Sequence, residues 1–291
     1  LQEVMPAHNR IRTNIGEMEY DILVLAIGAD TNFFGNGELQ QHAFPMKSTA
    51  EALRIRHRLI QNFEEALATN DPAEREKLMN IVVVGGGPTR VELSGAIAEM
   101  KRYVLPKDYP ELDFSKMNIY LLEGLDKTLA SMSPKSSEQS QRYLQKLGVK
   151  LYTNTILKDY DGDTVTLQNG DKIRTAMVIW AAGVKGNVPA GIDKDLVVRG
   201  NRIKVDRFNR VEGFNNIFVL GDLAYMETPE YPKGHPQLAA VAIQQAKCLA
   251  KNLLSQARHP GRPWREFKYF DKGSMATVGR NLAVVDIPIS K

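Results

Sequence analysis

The sequence predicts an α/β fold in which strands of a parallel sheet alternate with helices. Three observations carry this. Short aliphatic runs recur, among them Ile81-Val82-Val83-Val84 and Ile119-Tyr120-Leu121-Leu122. Segments with apolar residues at helical spacing lie between them. A glycine-rich turn, Gly85-Gly86-Gly87-Pro88-Thr89-Arg90, joins the first of these runs to a helix-like segment. Continuous apolar runs suit strands buried on both faces, and helical crossovers are what parallel strands require.

In chain order, Ile22 to Ile27 reads as a buried parallel strand entering a turn at Gly28. Gly35, Gly37 and Pro45 mark a connection. From Lys47 to about Thr69 the spacing of Leu53, Leu59, Ile60, Phe63 and Leu67 predicts a helix, which Asn70-Asp71-Pro72 interrupts. Ile81 to Val84, a helix from about Pro88 to Tyr103, and Ile119 to Leu122 make a βαβ unit, whose crossover should be right-handed. The intervening segment from Val104 to Asn118, with Pro106, Pro110 and several charges, reads as a loop. A helix from about Ser136 to Leu147 stops at Gly148, and Val149 to Tyr152 is the next strand. Thr164 to Leu167 and Lys172 to Arg174 flank Asn169-Gly170, which predicts an antiparallel hairpin insert. Met177 to Ala181 is another buried strand, and Ile217 to Leu220 leads into Gly221-Asp222. A long helix from about Pro236 to Gln256 follows, then short strands at Phe267 to Phe270 and Met275 to Val278.

The composition bounds the chemistry. A chain of 291 residues can form about two domains. With 43% hydrophobic and 25% charged residues it reads as globular. The formal net charge of +4 is small and dispersed, and with no helix-turn-helix or basic cluster in view no nucleic-acid partner is expected. The single cysteine, Cys248, excludes chemistry that needs a cysteine pair and is expected to pack in a helix. No apolar stretch approaches the roughly 18 to 20 residues of a spanning helix, and no metal cluster is visible. The chain opens at Leu1 within polar, hairpin-like sequence, which suggests a piece of a longer protein.

The glycine turn carries the strongest functional signal. A dinucleotide fold needs one glycine for the tight turn and a second where the backbone approaches the pyrophosphate, and Gly85 and Gly87 fill these positions. Pro88 suits the first helical turn. The third glycine position holds Arg90, whose side chain either pushes the helix outward or turns toward the phosphates. Glu123, 36 residues after Gly87, ends the next strand, where a carboxylate accepts hydrogen bonds from ribose hydroxyls and favours NADH over NADPH. Glu92 admits two readings: a capping box across Thr89-Arg90-Val91-Glu92, with which Pro88 competes, or a carboxylate near the nicotinamide. Gly221-Asp222 at a strand end could serve a second cofactor.

Together these segments resemble the type II NADH:quinone oxidoreductases, single-chain FAD enzymes of respiratory membranes. The resemblance runs from about Tyr20 to Pro288. Ala26-Ile27-Gly28-Ala29-Asp30-Thr31-Asn32-Phe33-Phe34-Gly35, the glycine loop with Val91-Glu92-Leu93, Trp180 to Asn187, Gly221-Asp222 and Ala239 to Gln245 carry it by their order and spacing. It implies a Rossmann-like NADH-binding domain with an antiparallel hairpin insert, flanked by parts of an FAD-binding domain of the two-dinucleotide flavoprotein fold. The expected segments are 1–45 as part of the FAD-binding domain, 46–182 as the NADH-binding domain, 183–260 as the rest of the FAD-binding domain with a quinone-pocket helix, and 261–291 as the start of a C-terminal domain.

The resemblance also implies roles. Gly85, Gly86, Gly87, Pro88, Thr89 and Glu123 would hold NADH, and Gly183 and Val184 would lie beside the nicotinamide. Glu92 matches the family's glutamate near that ring. Gly28, Gly221 and Asp222 would contact FAD, and Ala240, Gln244 and Gln245 would line the quinone pocket. The implied partners are NADH, a membrane quinone, the membrane surface through a C-terminal region outside the sequence, and a second copy in a homodimer. The implied location is the cytoplasmic face of the inner membrane, as a peripheral protein. The sequence departs from the pattern at Arg90, at Ala240 where the quinone motif usually has glutamine, and in lacking both the first glycine fingerprint and the C-terminal anchor. The competing expectations are a flavoprotein that passes electrons to ferredoxin or oxygen, and a non-catalytic dinucleotide-binding fragment.

Overall fold

A computed structural model describes residues 1–287 of the chain. They form two compact units, Leu1–Asp30 with Val184–Asp271, and Thr31–Gly183 with the segment from Lys272 onward.

The second unit is built on a five-stranded parallel sheet. Its spatial order is Phe44–Pro45, Val178–Trp180, Ile81–Val84, Ile119–Leu122, Lys150–Tyr152. The last four follow the strand order of a Rossmann fold. Ile81–Val84 lies at the centre and is buried at every residue. Pleating sends its side chains to opposite faces. Ile81 and Val83 join a core with Ile55, Leu59, Phe63, Val91 and Ile97 from two helices. Val82 and Val84 join another with Leu157, Tyr160, Val165 and Leu167. The second face is thus covered by the insert, an antiparallel sheet of Leu157–Tyr160, Thr164–Leu167 and Lys172–Arg174. The hairpin turns at Gly170, where φ is +92°. The polar composition of Leu157–Tyr160 concealed this third strand from the sequence reading.

Helix Thr49–Ala68 begins with a capping box between Ser48 and Glu51. Its buried stripe is Ile55, Leu59, Phe63 and Ala66. Leu53, Ile60 and Leu67, which helped predict the helix, are exposed. The expected loop from 104 to 118 is packed: Leu105, Leu112, Phe114 and Met117 enter the main core, and Lys101 Nζ donates to the Met117 carbonyl (2.8 Å). At the C-terminal end, Ser274–Thr277 and Ala283–Asp286 form a hairpin that packs on helix Pro88–Tyr103. Asp286 accepts hydrogen bonds from the Ser133 amide and from Oγ of Ser133 (2.8 Å) and Ser136 (2.7 Å). These bonds hold its carboxyl below the usual range.

In the first unit, Leu23–Leu25 pairs in parallel with Ile217–Val219. The strand is shorter than expected, and Val24 and Ile27 are exposed, because only Leu23 and Leu25 face the core. Glu3–Met5, Arg10–Thr13 and Gly16–Glu19 form an antiparallel meander. Helix Ala239–Arg258 buries Val241, Gln245, Leu249 and Asn252. The chain returning beside this helix is held by side-chain amides. Asn252 bonds both the N–H and the carbonyl of Arg265 (2.9 Å each), and Gln244 does the same for Phe270 (2.9 Å each). That corrects the expected strand at Phe267 to Phe270: glutamine and asparagine amides take the place of a partner strand, and no regular strand forms. Cys248 packs against the core, its Sγ is 3.7 Å from the Arg265 carbonyl, and burial raises its thiol pKa, as a packing residue requires.

Two predictions follow from packing. A side chain at Gly95 would run into the Gly279 backbone nitrogen and begin 3.0 Å from the Val278 carbonyl carbon. Gly95→Ala is therefore expected to cost about 1–3 kcal/mol, read as a lowered urea midpoint. His235 is 2% exposed, and neither ring nitrogen has a hydrogen-bond partner. Its ring packs against Tyr231, Phe267 and Tyr269. Burial, then the charges of Arg207 and Arg202, lower its pKa, so the folded state favours the neutral ring. The unfolded histidine protonates near pH 6.5, so this stabilisation is present above about pH 6.5 and lost as pH falls below it. Urea midpoints measured across pH should decline there, and less steeply in His235→Phe.

Candidate functional site

The Ile81–Val84 strand delivers Gly85 to the carboxyl end of the sheet. Gly85 has φ of +109°, and a side chain there would begin 3.2 Å from Ala182 Cα. Its N–H donates to the Leu122 carbonyl on the neighbouring strand (2.7 Å). The Gly86 N–H donates to a carboxylate oxygen of Glu123, and the other oxygen accepts from Leu125 N (2.7 Å). A side chain on Gly86 would start 2.5 Å from Glu123 Oε2 and 2.9 Å from its Cγ. A side chain here would displace the Glu123 carboxylate from the Gly86 amide. The Gly86 carbonyl is held from the far side by Leu129 N (2.7 Å).

Gly87 caps helix Pro88–Tyr103 with no side-chain hydrogen bond, and the first turn contains no acidic residue. Pro88 and Thr89 are exposed on that turn. An uncapped helix start with free N–H groups and a positive dipole end is suited to an anion. Of the two readings of Glu92, the capping box with Thr89 does not form. Pro88 at the first helical position makes Gly87 the cap, and Glu92 instead accepts a hydrogen bond from Thr277 N (3.2 Å).

Arg90 turns toward the loop. Side chains built at Gly85 and Gly87 would begin 3.2 Å from its Nε and 2.9 Å from its Nη1. The helix is not forced away from the sheet, since Val91 and Ser94 remain fully buried. Burial lowers the Arg90 pKa and the Glu123 charge opposes that shift. Gly183 lies in the same unit, beyond Trp180 and Ala182, and its carbonyl accepts from Asn32 N (3.0 Å). A side chain there would begin 3.0 Å from Phe34 Cζ. Phe34 is 67% exposed and has φ of +52°.

The remaining expected residues lie in the first unit: Gly28, Val184, Gly221, Asp222, Ala240, Gln244 and Gln245. The parallel pairing of Leu23–Leu25 with Ile217–Val219 carries Gly28 and Gly221 past neighbouring strand ends. Their φ values are +68° and +67°. Gly28 has nothing within 4 Å of where a side chain would begin. Gln245 is 1% exposed, and its Oε1 accepts from Gly221 N (2.8 Å). Gln237 Nε2 donates to the Asp222 carbonyl (2.9 Å). The Asp222 charge also favours the charged form of buried Arg202. Ala240 is half-buried at the start of the helix, and Gln244 is engaged with Phe270. The structure therefore joins Gly86 to Glu123 and Gly221 to Gln245, while Glu92 is tied to the C-terminal hairpin. Leu129 and Gln237 join the site although no motif of the sequence singles them out. Backbone contact and left-handed conformation at non-glycine residues leave no motif.

Among the described residues no group of three or more His, Cys, Asp or Glu could hold a metal ion, and no helix is long and apolar enough to cross a membrane.

The family model for pyridine nucleotide-disulphide oxidoreductases matches residues 3–246. The type II NADH:quinone oxidoreductase Ndh of Mycobacterium tuberculosis is 36% identical over 281 residues, covering 92% of this chain and 58% of that protein. The type II NADH:quinone oxidoreductase of Haemophilus influenzae is 29% identical, over 91% of this chain and 62% of that protein. The chain thus spans less than two thirds of the length of these relatives. The structure of NDH2 from Plasmodium falciparum in complex with NADH superposes with a TM-score of 0.88 at 20% identity, covering 99% of this chain and 74% of that one. The fold is therefore the mixed α/β arrangement of two-dinucleotide flavoproteins. The chain belongs to the pyridine nucleotide-disulphide oxidoreductase family.

Proposed function

We propose that the protein is an NADH:quinone oxidoreductase that does not pump protons, and that this chain carries its NADH site and part of its flavin site. The observation that carries the reading is the Gly86–Glu123 hydrogen bond at the carboxyl end of a parallel sheet, beside an uncapped helix start. This is the arrangement that binds a dinucleotide, with diphosphate on the helix N-terminus and ribose on the strand-end carboxylate. The likeness to type II enzymes over most of the chain supports the acceptor being a quinone.

In this reading Gly85, Gly86, Gly87, Pro88 and Thr89 receive the diphosphate and Glu123 the adenosine ribose. Gly183 and Val184 lie beside the nicotinamide, and Glu92 serves the same end of the site. Gly28, Gly221 and Asp222 hold FAD. The residues fit that group: Gly28 leaves open space where a side chain would stand, and Gln245 fixes the amide of Gly221. Bound there, FAD would supply the redox chemistry that links NADH to the quinone. The protein's part is to bind, orient and exclude water, which needs no side-chain nucleophile. Ala240 and Gln244 line the quinone pocket, and Gln245 shapes it by positioning Gly221. A membrane quinone implies a peripheral protein at the membrane surface, on the cytoplasmic face of the inner membrane; a homodimer is part of the same proposal.

The test is anaerobic NADH consumption by FAD-loaded protein with a soluble quinone analogue. We expect one quinone reduced per NADH and negligible consumption without quinone. Consumption sustained by added ferredoxin, or by oxygen once air is admitted, and not by quinone, would contradict the proposal.

A further inference from the structure

We propose that Arg90 is a ligand of the dinucleotide's diphosphate, its guanidinium supplying the counter-charge at a position where the dinucleotide fold usually has glycine. The inference rests on the NADH-site reading above and adds a binding residue to it.

Four observations converge. First, the guanidinium lies directly on the loop, with Nε nearest Gly85 and Nη1 nearest Gly87, the two glycines whose backbone an incoming diphosphate must approach. Second, Nε is buried without a hydrogen-bond partner, and no hydrogen bond or ion pair engages the guanidinium among the described residues. A buried cationic donor left unpaired is costly, and such groups call for an explanation. Third, a neighbouring carboxylate leaves the guanidinium unbonded. Glu123 contributes charge to Arg90, while its hydrogen bonds come from the amides of Gly86 and Leu125. Fourth, the helix start under Arg90 has neither a capping side chain nor an acidic residue, so the positive end of its dipole addresses the same anion.

An arginine is chemically apt here. Its planar fork matches two phosphate oxygens at once, and charge-assisted bonds of this kind are about twice as strong as neutral ones. Because the guanidinium now covers Gly85 and Gly87, the diphosphate takes its place on the loop and the side chain rotates to its rim, exchanging an unpaired position for a paired one. The third glycine normally lets the helix pack closely on the strand. Here that packing survives with arginine, since Val91 and Ser94 are fully buried, which leaves the side chain available for the ligand.

The experiment is fluorescence titration of the full chain with NADH at low and high KCl, for wild type, Arg90→Gln and Arg90→Lys, with adenosine as a probe that lacks the diphosphate. We expect Arg90→Gln to raise the NADH Kd about tenfold at low salt. It should flatten the dependence of Kd on salt and leave adenosine affinity unchanged, while Arg90→Lys recovers part of the loss. Unchanged adenosine binding also certifies that the variant is folded. NADH affinity that is equal or tighter in Arg90→Gln, with the wild-type salt dependence, overturns the proposal while the NADH site stands. Wild-type protein that binds neither NADH nor adenosine overturns the NADH site, and this proposal with it.

Discussion

Burial of the Ile81–Val84 strand on both faces is the constraint on which the candidate site depends. Its odd residues are locked among helices and its even residues against the antiparallel insert, so it has no freedom to shift register. A one-residue slip would exchange the two sets and misdirect the loop. The strand's end therefore places Gly85, and through it the loop, with the precision of the core. The neighbouring Ile119–Leu122 strand, in fixed parallel register, does the same for Glu123. The Gly86–Glu123 hydrogen bond is the local consequence of two strands held elsewhere.

Much of this was legible in the sequence because the governing signals are short and local. Four aliphatic residues, a glycine turn and a proline predict a strand, a loop and a helix start, and the helix spans Pro88–Tyr103 as expected. What escaped depends on partners distant in the chain. The strand Leu157–Tyr160 looks polar because only Leu157 and Tyr160 face inward. Phe267 to Phe270 looks like a strand, but Gln244 satisfies the Phe270 backbone across 26 residues. The direction of Arg90 could not be read either. A side chain's rotamer follows from the space around it, and that space is made by Ala182, Glu123 and the loop itself.

In the first unit, helix Ala239–Arg258 holds neighbouring chain with polar side chains as well as apolar packing. Gln245, Asn252 and Gln244 on one helix each hold backbone groups of another segment. Buried amides of this kind fix position because a misplaced partner leaves polar groups unpaired. Motif residues can thus act by positioning, as Gln245 does for Gly221, whose left-handed backbone the proposed flavin site requires.

The central claim is that Glu123 and the glycine loop form an NADH site. Its most direct test is the paired measurement of NADH and NADPH affinity for the full chain. A carboxylate at the ribose position repels a 2′-phosphate, so NADH should bind at least about tenfold more tightly, and Glu123→Gln should narrow the gap. Equal affinity for the two cofactors, or a preference for NADPH, would contradict the placement of Glu123 at the ribose.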